Sequence, residues 1–150
     1  DSVLQYGAYL AVLKEFDHAP LLKVGARTMI GNHAHIVVTR RVEFGAGVLT
    51  ADRLFVSDNR HTFEDPSIPI RDQGLTQLAE VRIGDGTWIG ENVCISGASI
   101  GSHCVIAANS VVTSDIPDRC IAAGAPARIV KRYCERREGW YRTGPDGEFA

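Results

Sequence analysis

The chain has 150 residues, 45% hydrophobic and 23% charged, the balance of one soluble globular domain. Sixteen Lys and Arg against 18 Asp and Glu give a net charge of −2, so no global field attracts nucleic acid or an anionic membrane. No apolar stretch approaches the roughly 20 residues that cross a bilayer. No signal peptide is visible, and a first residue of Asp instead of Met leaves a longer native N-terminus open.

From the N-terminus, Leu4, Leu10, Phe16 and Leu22 recur every six residues, which predicts an irregular first coil over 1–23. A helix over Val3–Phe16 is the alternative, because Leu10, Leu13 and Lys14 also suit an amphipathic pattern. The period then sharpens into Val24, Ile30, Ile36, Val42, Val48 and Leu54. A second run follows in Ile83, Ile89 and Ile95, then Ile100, Ile106 and Val112, with one step of five absorbed by a turn. A period of six fits neither a helix nor a simple alternating strand. It fits short strands separated by turns, three sides making a triangular coil whose strands stack in parallel about 4.8 Å apart.

Four positions after the aliphatic residue a small one is common, as at Thr28, Ala34, Ala46, Thr87, Cys104 and Ser110. The residue just after it is often Gly (25, 31, 84, 90 and 101), read as supplying turn conformations that a side chain resists. Arg40, Asp52 and Asp58 stand where a small residue is wanted, so the coil is expected to loosen there or face a cleft. The expected fold is all-β, a parallel β-helix of about five coils in one domain over 1–150, with coils over 24–57 and 81–116. Residues 58–80 break the repeat with Pro66, Pro69, Gly74 and His61, and a loop of that length is expected to be functional. The tail, 117–150, carries Trp140, Tyr141 and Phe149 among charges and reads as a short helix or a hairpin.

Cys94, Cys104, Cys120 and Cys134 are spaced 10, 16 and 14 apart, with no CxxC pair. That spacing argues against zinc and against a disulfide framework, and suits reduced thiols in a cytoplasmic protein. Cys104 reads as a small inward filler.

The string Val81–Arg128, VRIGDGTWIGENVCISGASIGSHCVIAANSVVTSDIPDRCIAAGAPAR, resembles the C-terminal signature of hexapeptide-repeat acyltransferases. These are trimeric left-handed β-helix enzymes that use acetyl-CoA or another acyl-CoA. The loop SDNRHTFEDPSIPIRDQG resembles that of the sugar and polysaccharide O-acetyltransferase branch, related to galactoside and maltose acetyltransferases. The recognisable pattern runs from about Val24 to Lys131. Left-handedness comes from the resemblance alone, since parallel crossovers are otherwise right-handed.

The resemblance implies acetyl transfer from acetyl-CoA to a hydroxyl of a sugar or surface polysaccharide, direct and without an acyl-enzyme. Its base is His61, and neutral imidazole is suited to accept a proton near neutral pH. Asp58 either orients that imidazole, binds the acceptor or caps a turn, and Asn59, Glu64 and Asp65 are further acceptor-side candidates, with Arg71 and Gln73 weaker. Trp88 precedes an inward isoleucine, so it faces outward, and in the family its equivalent lies at the cleft between subunits. Glu91 stands where some relatives carry a serine that helps bind the thioester, which favours a backbone N–H as oxyanion donor. For the carrier, the resemblance implies Gly90, Ala108, Thr113, Ser114, Arg128 and Lys131, with Ser114 standing where relatives often have Lys. The implied assembly is a homotrimer in which one subunit supplies His61 and its neighbour the CoA groove.

His33 and His35 alternate along one expected strand, so a metal site is conceivable, and γ-class carbonic anhydrases share this coil. That class requires a second histidine five residues on, where His61 has Pro66, so no metal is expected. The other rival readings are N-acetylation of an amino sugar or xenobiotic, and a non-catalytic trimeric scaffold.

Overall fold

The computed structural model describes residues 1–144 and 147–150. Inward side chains come in pairs two residues apart, and each strand is little longer than such a pair requires. Face A stacks β1 (Val3–Leu4), β4 (Met29–Ile30), β7 (Leu49–Thr50), β12 (Trp88–Ile89) and β14 (Val105–Ile106) in parallel. Face B stacks β2 (Tyr9–Val12), β5 (His35–Val38), β8 (Phe55–Ser57), β13 (Cys94–Ser96) and β15 (Val111–Val112). Face C holds β3 (Leu21–Val24), β6 (Arg41–Phe44) and β11 (Val81–Ile83), then single bridges at Ile100 and Ile116. The chain visits A, B and C in turn through five coils, which makes a three-sided parallel β-helix. The first coil is built from β1, β2 and β3, with no helix over Val3–Phe16.

Two columns of side chains fill the interior behind face A. One runs through Thr28, Val48, Thr87, Cys104 and Cys120, the other through Ile30, Thr50, Ile89, Ile106 and Ala122, and all ten are buried. The buried threonines remain satisfied: Thr28 and Thr87 donate to the carbonyls of Gly45 and Gly101, and Thr50 accepts from the Gly31 amide. The hexad does not run unbroken. Ile36 and Phe44 occupy equivalent inward positions eight residues apart, so two residues are inserted at the corner between faces B and C. Beyond it Val48 and Leu54 take the slot that small residues fill elsewhere, and Thr50 takes the aliphatic slot.

The expected loosening is present at the B–C corner, where Arg40 lies in the inserted turn and the chain leaves the coil after Asp58, and absent at Asp52. Val48 and Leu54 beside them are buried, and Asp52 and Asp58 cap turns of the preceding coil. The reading of the glycines is corrected too. Positive φ falls at Arg27, His33, Asn92 and His103, not at Gly25, Gly31, Gly84 or Gly90. Gly84 is required by close approach, since a Cβ there would lie 2.4 Å from the Ser102 amide nitrogen of the next coil.

Between β8 and β11 the chain leaves the coil as an antiparallel hairpin of β9 (Asn59–His61) and β10 (Leu75–Gln77), bridged by a 3-10 turn at Ile70–Asp72. At the far end β16 (Cys120–Gly124) adds to face A in parallel. β17 (Ala127–Cys134) and β18 (Gly139–Arg142) then extend it antiparallel, so the tail is a hairpin. The outer surfaces differ. Face A exposes Val3, Met29, Leu49 and Trp88, and face B carries the edge-to-face row Tyr9–His35–Phe55, whereas face C presents Lys23, Glu43 and Arg82.

Candidate functional site

His61 ends β9 and is exposed, opposite Leu75, with no hydrogen bond to its imidazole among the described residues. The hairpin that carries it is tied down at its root. Asp58 is fully buried and accepts from the backbone amides of Thr39 (2.8 Å), Arg40 (2.7 Å) and Arg41 (2.7 Å) and from the Asn59 side-chain amide (3.1 Å). Burial alone would raise its pKa. The hydrogen bonds from Thr39, Asn59, Arg40 and Arg41 outweigh it and hold the carboxyl below the usual range. Gln77 completes the root: its amide donates to the Asp58 carbonyl (2.6 Å), and its Oε1 lies 3.1 Å from the Thr39 hydroxyl.

Asp58 therefore caps the inserted turn at 39–41, one of the alternatives open at the sequence level, with its carboxylate buried and engaged within the chain. Asn59 is buried with its amide on Asp58. Gln77 was missed, because a glutamine at the end of a polar loop carries no signal of its own. Further along, Glu64 is engaged by Arg60 and the Phe63 amide, and Asp65 by Ser67 and Gln73. Those contacts, with Thr62 Oγ1 2.8 Å from Thr76 Oγ1, stiffen the hairpin from within.

The carrier-side residues fall into two groups. Trp88 is 52% exposed on face A. Gly90 lies just beyond it, at the corner with face B, where a Cβ would come within 2.6 Å of the Ala108 amide nitrogen, so the two backbones pack tightly. Glu91 at the same corner is ion-paired to Arg53 of the preceding coil. Thr113 and Ser114 sit at the next corner of the fifth coil, and Ser114 shares a cleft of about 270 Å³ with Arg128. Arg128 and Lys131 line a further groove of about 620 Å³ with Arg142, which sequence reasoning counted only within the general basic balance of the tail. Within one chain His61 lies opposite face A: its hairpin leaves the third coil at the corner between faces B and C, the edge that carries Thr113 and Ser114 two coils on, and it lines neither groove.

His33 and His35 do not share a strand. His33 is a turn residue at φ 55 against Tyr6, and His35 lies on face B between Tyr9 and Phe55. Among the described residues no three His, Cys, Asp or Glu side chains converge as metal ligands. Cys104 is buried, and burial pushes its thiol up to about 11; Cys94 and Cys120 are raised by the same cause. These thiols are protonated at neutral pH and are poor nucleophiles. Among the described residues no helix is long and apolar enough to cross a membrane.

Residues 80–114 match the family described as bacterial transferase hexapeptide (six repeats). A protein of Mycobacterium tuberculosis named a probable acetyltransferase is 40% identical over 115 residues, 76% of this chain and 38% of that protein. The galactoside O-acetyltransferase of Escherichia coli K12 is 31% identical over 127 residues, 84% of this chain and 61% of that protein. A hexapeptide-repeat acetyltransferase of Vibrio cholerae, solved with acetyl coenzyme A, has a TM-score of 0.67 at 29% identity, over 75% of this chain and 60% of that one. The chain thus spans less than two thirds of the length of these relatives. Its repeat, its three-sided parallel coil and these likenesses agree, and residues 80–114 carry the pattern of the bacterial transferase hexapeptide family.

Proposed function

We propose that the chain transfers an acetyl group from acetyl-CoA to a hydroxyl of a sugar or surface polysaccharide, within a cytoplasmic homotrimer of left-handed coils. His61 takes the hydroxyl proton as the oxygen attacks the thioester carbonyl. The tetrahedral intermediate collapses with loss of the CoA thiolate, and the proton passes from the imidazolium to that sulfur. A backbone N–H serves as oxyanion donor, because Glu91 is a carboxylate held by Arg53 and has no proton to offer. Asp58, Asn59 and Gln77 are positioning residues that fix the hairpin carrying His61. The carrier lies along the side of the coil that bears Trp88, Gly90 and Ala108, with Thr113, Ser114, Arg128 and Lys131 toward its phosphate end.

The observation that carries this reading is the placement of His61 and face A on opposite sides of one prism. A triangular prism fills a sixth of the turn about its own edge. Three prisms sharing the edge between faces A and B therefore leave three wedge-shaped clefts, each between face A of one copy and face B of the next. The hairpin of one copy then stands at the mouth of the cleft beside the neighbour's face A. The surfaces suit this arrangement, since faces A and B are apolar outside and face C is charged.

The test is CoA release by the purified chain from acetyl-CoA against a panel of saccharides and amino sugars. A hydroxyl acceptor should support turnover, and His61→Ala should lower kcat by about 10²–10⁴ with CoA affinity unchanged. Near-wild-type turnover in that variant would remove the histidine from the chemistry.

A further inference from the structure

Two protrusions leave the corner between faces B and C, with one short turn between them. In the second coil that corner takes only Thr39 and Arg40, between β5 and β6. The third coil leaves it as the hairpin of β9 and β10, and the first as a loop over 13–20, between β2 and β3. The Leu13 amide donates to the Val38 carbonyl and the Leu21 amide to that of Arg40, so the loop is rooted on either side of Thr39. The roots of loop and hairpin are two strand spacings apart, about 10 Å, and the turn at 39–40 floors the slot between them.

His61 faces this slot. Residues paired across an antiparallel ladder share a side, so His61 and Leu75 project with Asn59 and Gln77. Gln77 marks that side as the one toward the second coil, since its Oε1 lies 3.1 Å from the Thr39 hydroxyl. Leu78, the next residue, packs the other way, where a Cβ on Gly97 of the fourth coil would come within 2.7 Å of it. The opposite wall is the loop, in which Phe16 and His18, both half-buried, stack with centroids 5.8 Å and planes 3° apart. His18 Nε2 is shielded from solvent and has no hydrogen-bond partner among the described residues. In a loop with a purely structural role that is an uncompensated cost; a ligand hydroxyl, which can donate or accept, removes it.

We infer that the loop at 13–20 selects the acceptor: one pyranose ring enters the slot, lies against the aromatic pair and presents a hydroxyl to His61. Phe16 and His18 are then specificity-determining residues and take no part in the proton transfer. The chemistry of the walls matches that ligand. A sugar ring has an apolar face for an aromatic surface, and hydroxyls around its rim for a polar atom such as His18 Nε2. The stacked pair also stiffens the loop, which spares binding part of the cost of ordering it. The inference rests on the acetyl-transfer reading for the reaction at His61, whereas the slot itself is tested by binding without acetyl-CoA.

The experiment uses the whole chain, Phe16→Ala, Phe16→Tyr and His18→Ala. Methyl galactopyranoside and methyl glucopyranoside are titrated by saturation-transfer NMR without acetyl-CoA, then compared as acceptors at saturating acetyl-CoA, beside thermal melts of each variant. The wild-type chain should bind at least one of the two. Phe16→Ala should weaken that binding and raise KM for the sugar about tenfold, with kcat, KM for acetyl-CoA and Tm near wild type. Phe16→Tyr should recover most of the loss, and His18→Ala should raise KM for the sugar without lowering Tm. Pyranoside binding that depends on Phe16, with no acetyl transfer to the sugar, would keep the slot and reject the transfer reading. Acetyl transfer with a KM indifferent to Phe16 and His18 would overturn the slot and leave the transfer reading standing. No binding of either pyranoside, or a loss of affinity and Tm together without rescue by tyrosine, would equally overturn the inference.

Discussion

Asp58 is the residue on which the corner between faces B and C depends. Its carboxylate receives three consecutive amides of the turn at 39–41, and removing it leaves them without an acceptor. Asp58→Ala should cost about 3–5 kcal/mol by the usual penalty for buried unpaired groups, read as a drop in the urea midpoint. Because its pKa is lowered by folding, its contribution is complete above the unfolded value of about 4 and is lost as pH falls below that. The wild-type chain should therefore lose stability on acidification below about pH 4 more steeply than Asp58→Asn. The glycines separate into two kinds. Gly90→Ala forces a Cβ against the next coil's backbone, whereas Gly47→Ala meets nothing within 4 Å and bears only its φ of +64. Melts should show a far larger Tm loss for Gly90→Ala. The sequence reading located Gly90 correctly but misjudged its reason, because a hexad shows where glycine recurs and not which backbone lies above it.

The hairpin of β9 and β10 is held by its own contacts and by one root, so it should be separable from the coil. The fourth coil turns the same corner with only Gly97, Ala98 and Ser99 between β13 and the bridge at Ile100. Replacing residues 60–76 with a short glycine-serine turn, while keeping Asp58, Asn59 and Gln77, should leave the melt and CoA affinity near wild type and abolish turnover. Loss of folding in that variant would make the hairpin a structural part of the coil. The broken repeat made this insertion legible, since no hexad survives between Leu54 and Ile83. The two-residue slip between Ile36 and Phe44 was not legible, because Val42, Val48 and Leu54 preserve an apparent period of six while moving into the other inward slot. The tail was equally undecided: Lys131 and Arg142 meet only across strands, and nothing in their separation along the chain announces that pairing.

At the scale of the whole molecule, the proposed clefts make activity a property of neighbours. Light scattering should report about three times 16.3 kDa. Mixing His61→Ala chains with chains carrying Arg128→Ala and Lys131→Ala should restore activity that neither parent has. A fully active monomer would defeat the shared cleft, and inactive mixed trimers would place every group in one chain. The stacking of coils has another consequence, in the order of assembly. Strands paired through faces A and B mostly join residues one coil apart, so nearly every ladder can form as soon as its neighbour exists. Folding can then nucleate in any adjacent pair of coils and spread along the axis, with the hairpin forming as a side branch that interrupts nothing. Amide exchange should record this history: slowest at Ile89 and Ile95 in the middle, and quickest at Leu4 and Leu10, where the last rung has a neighbour on one side only.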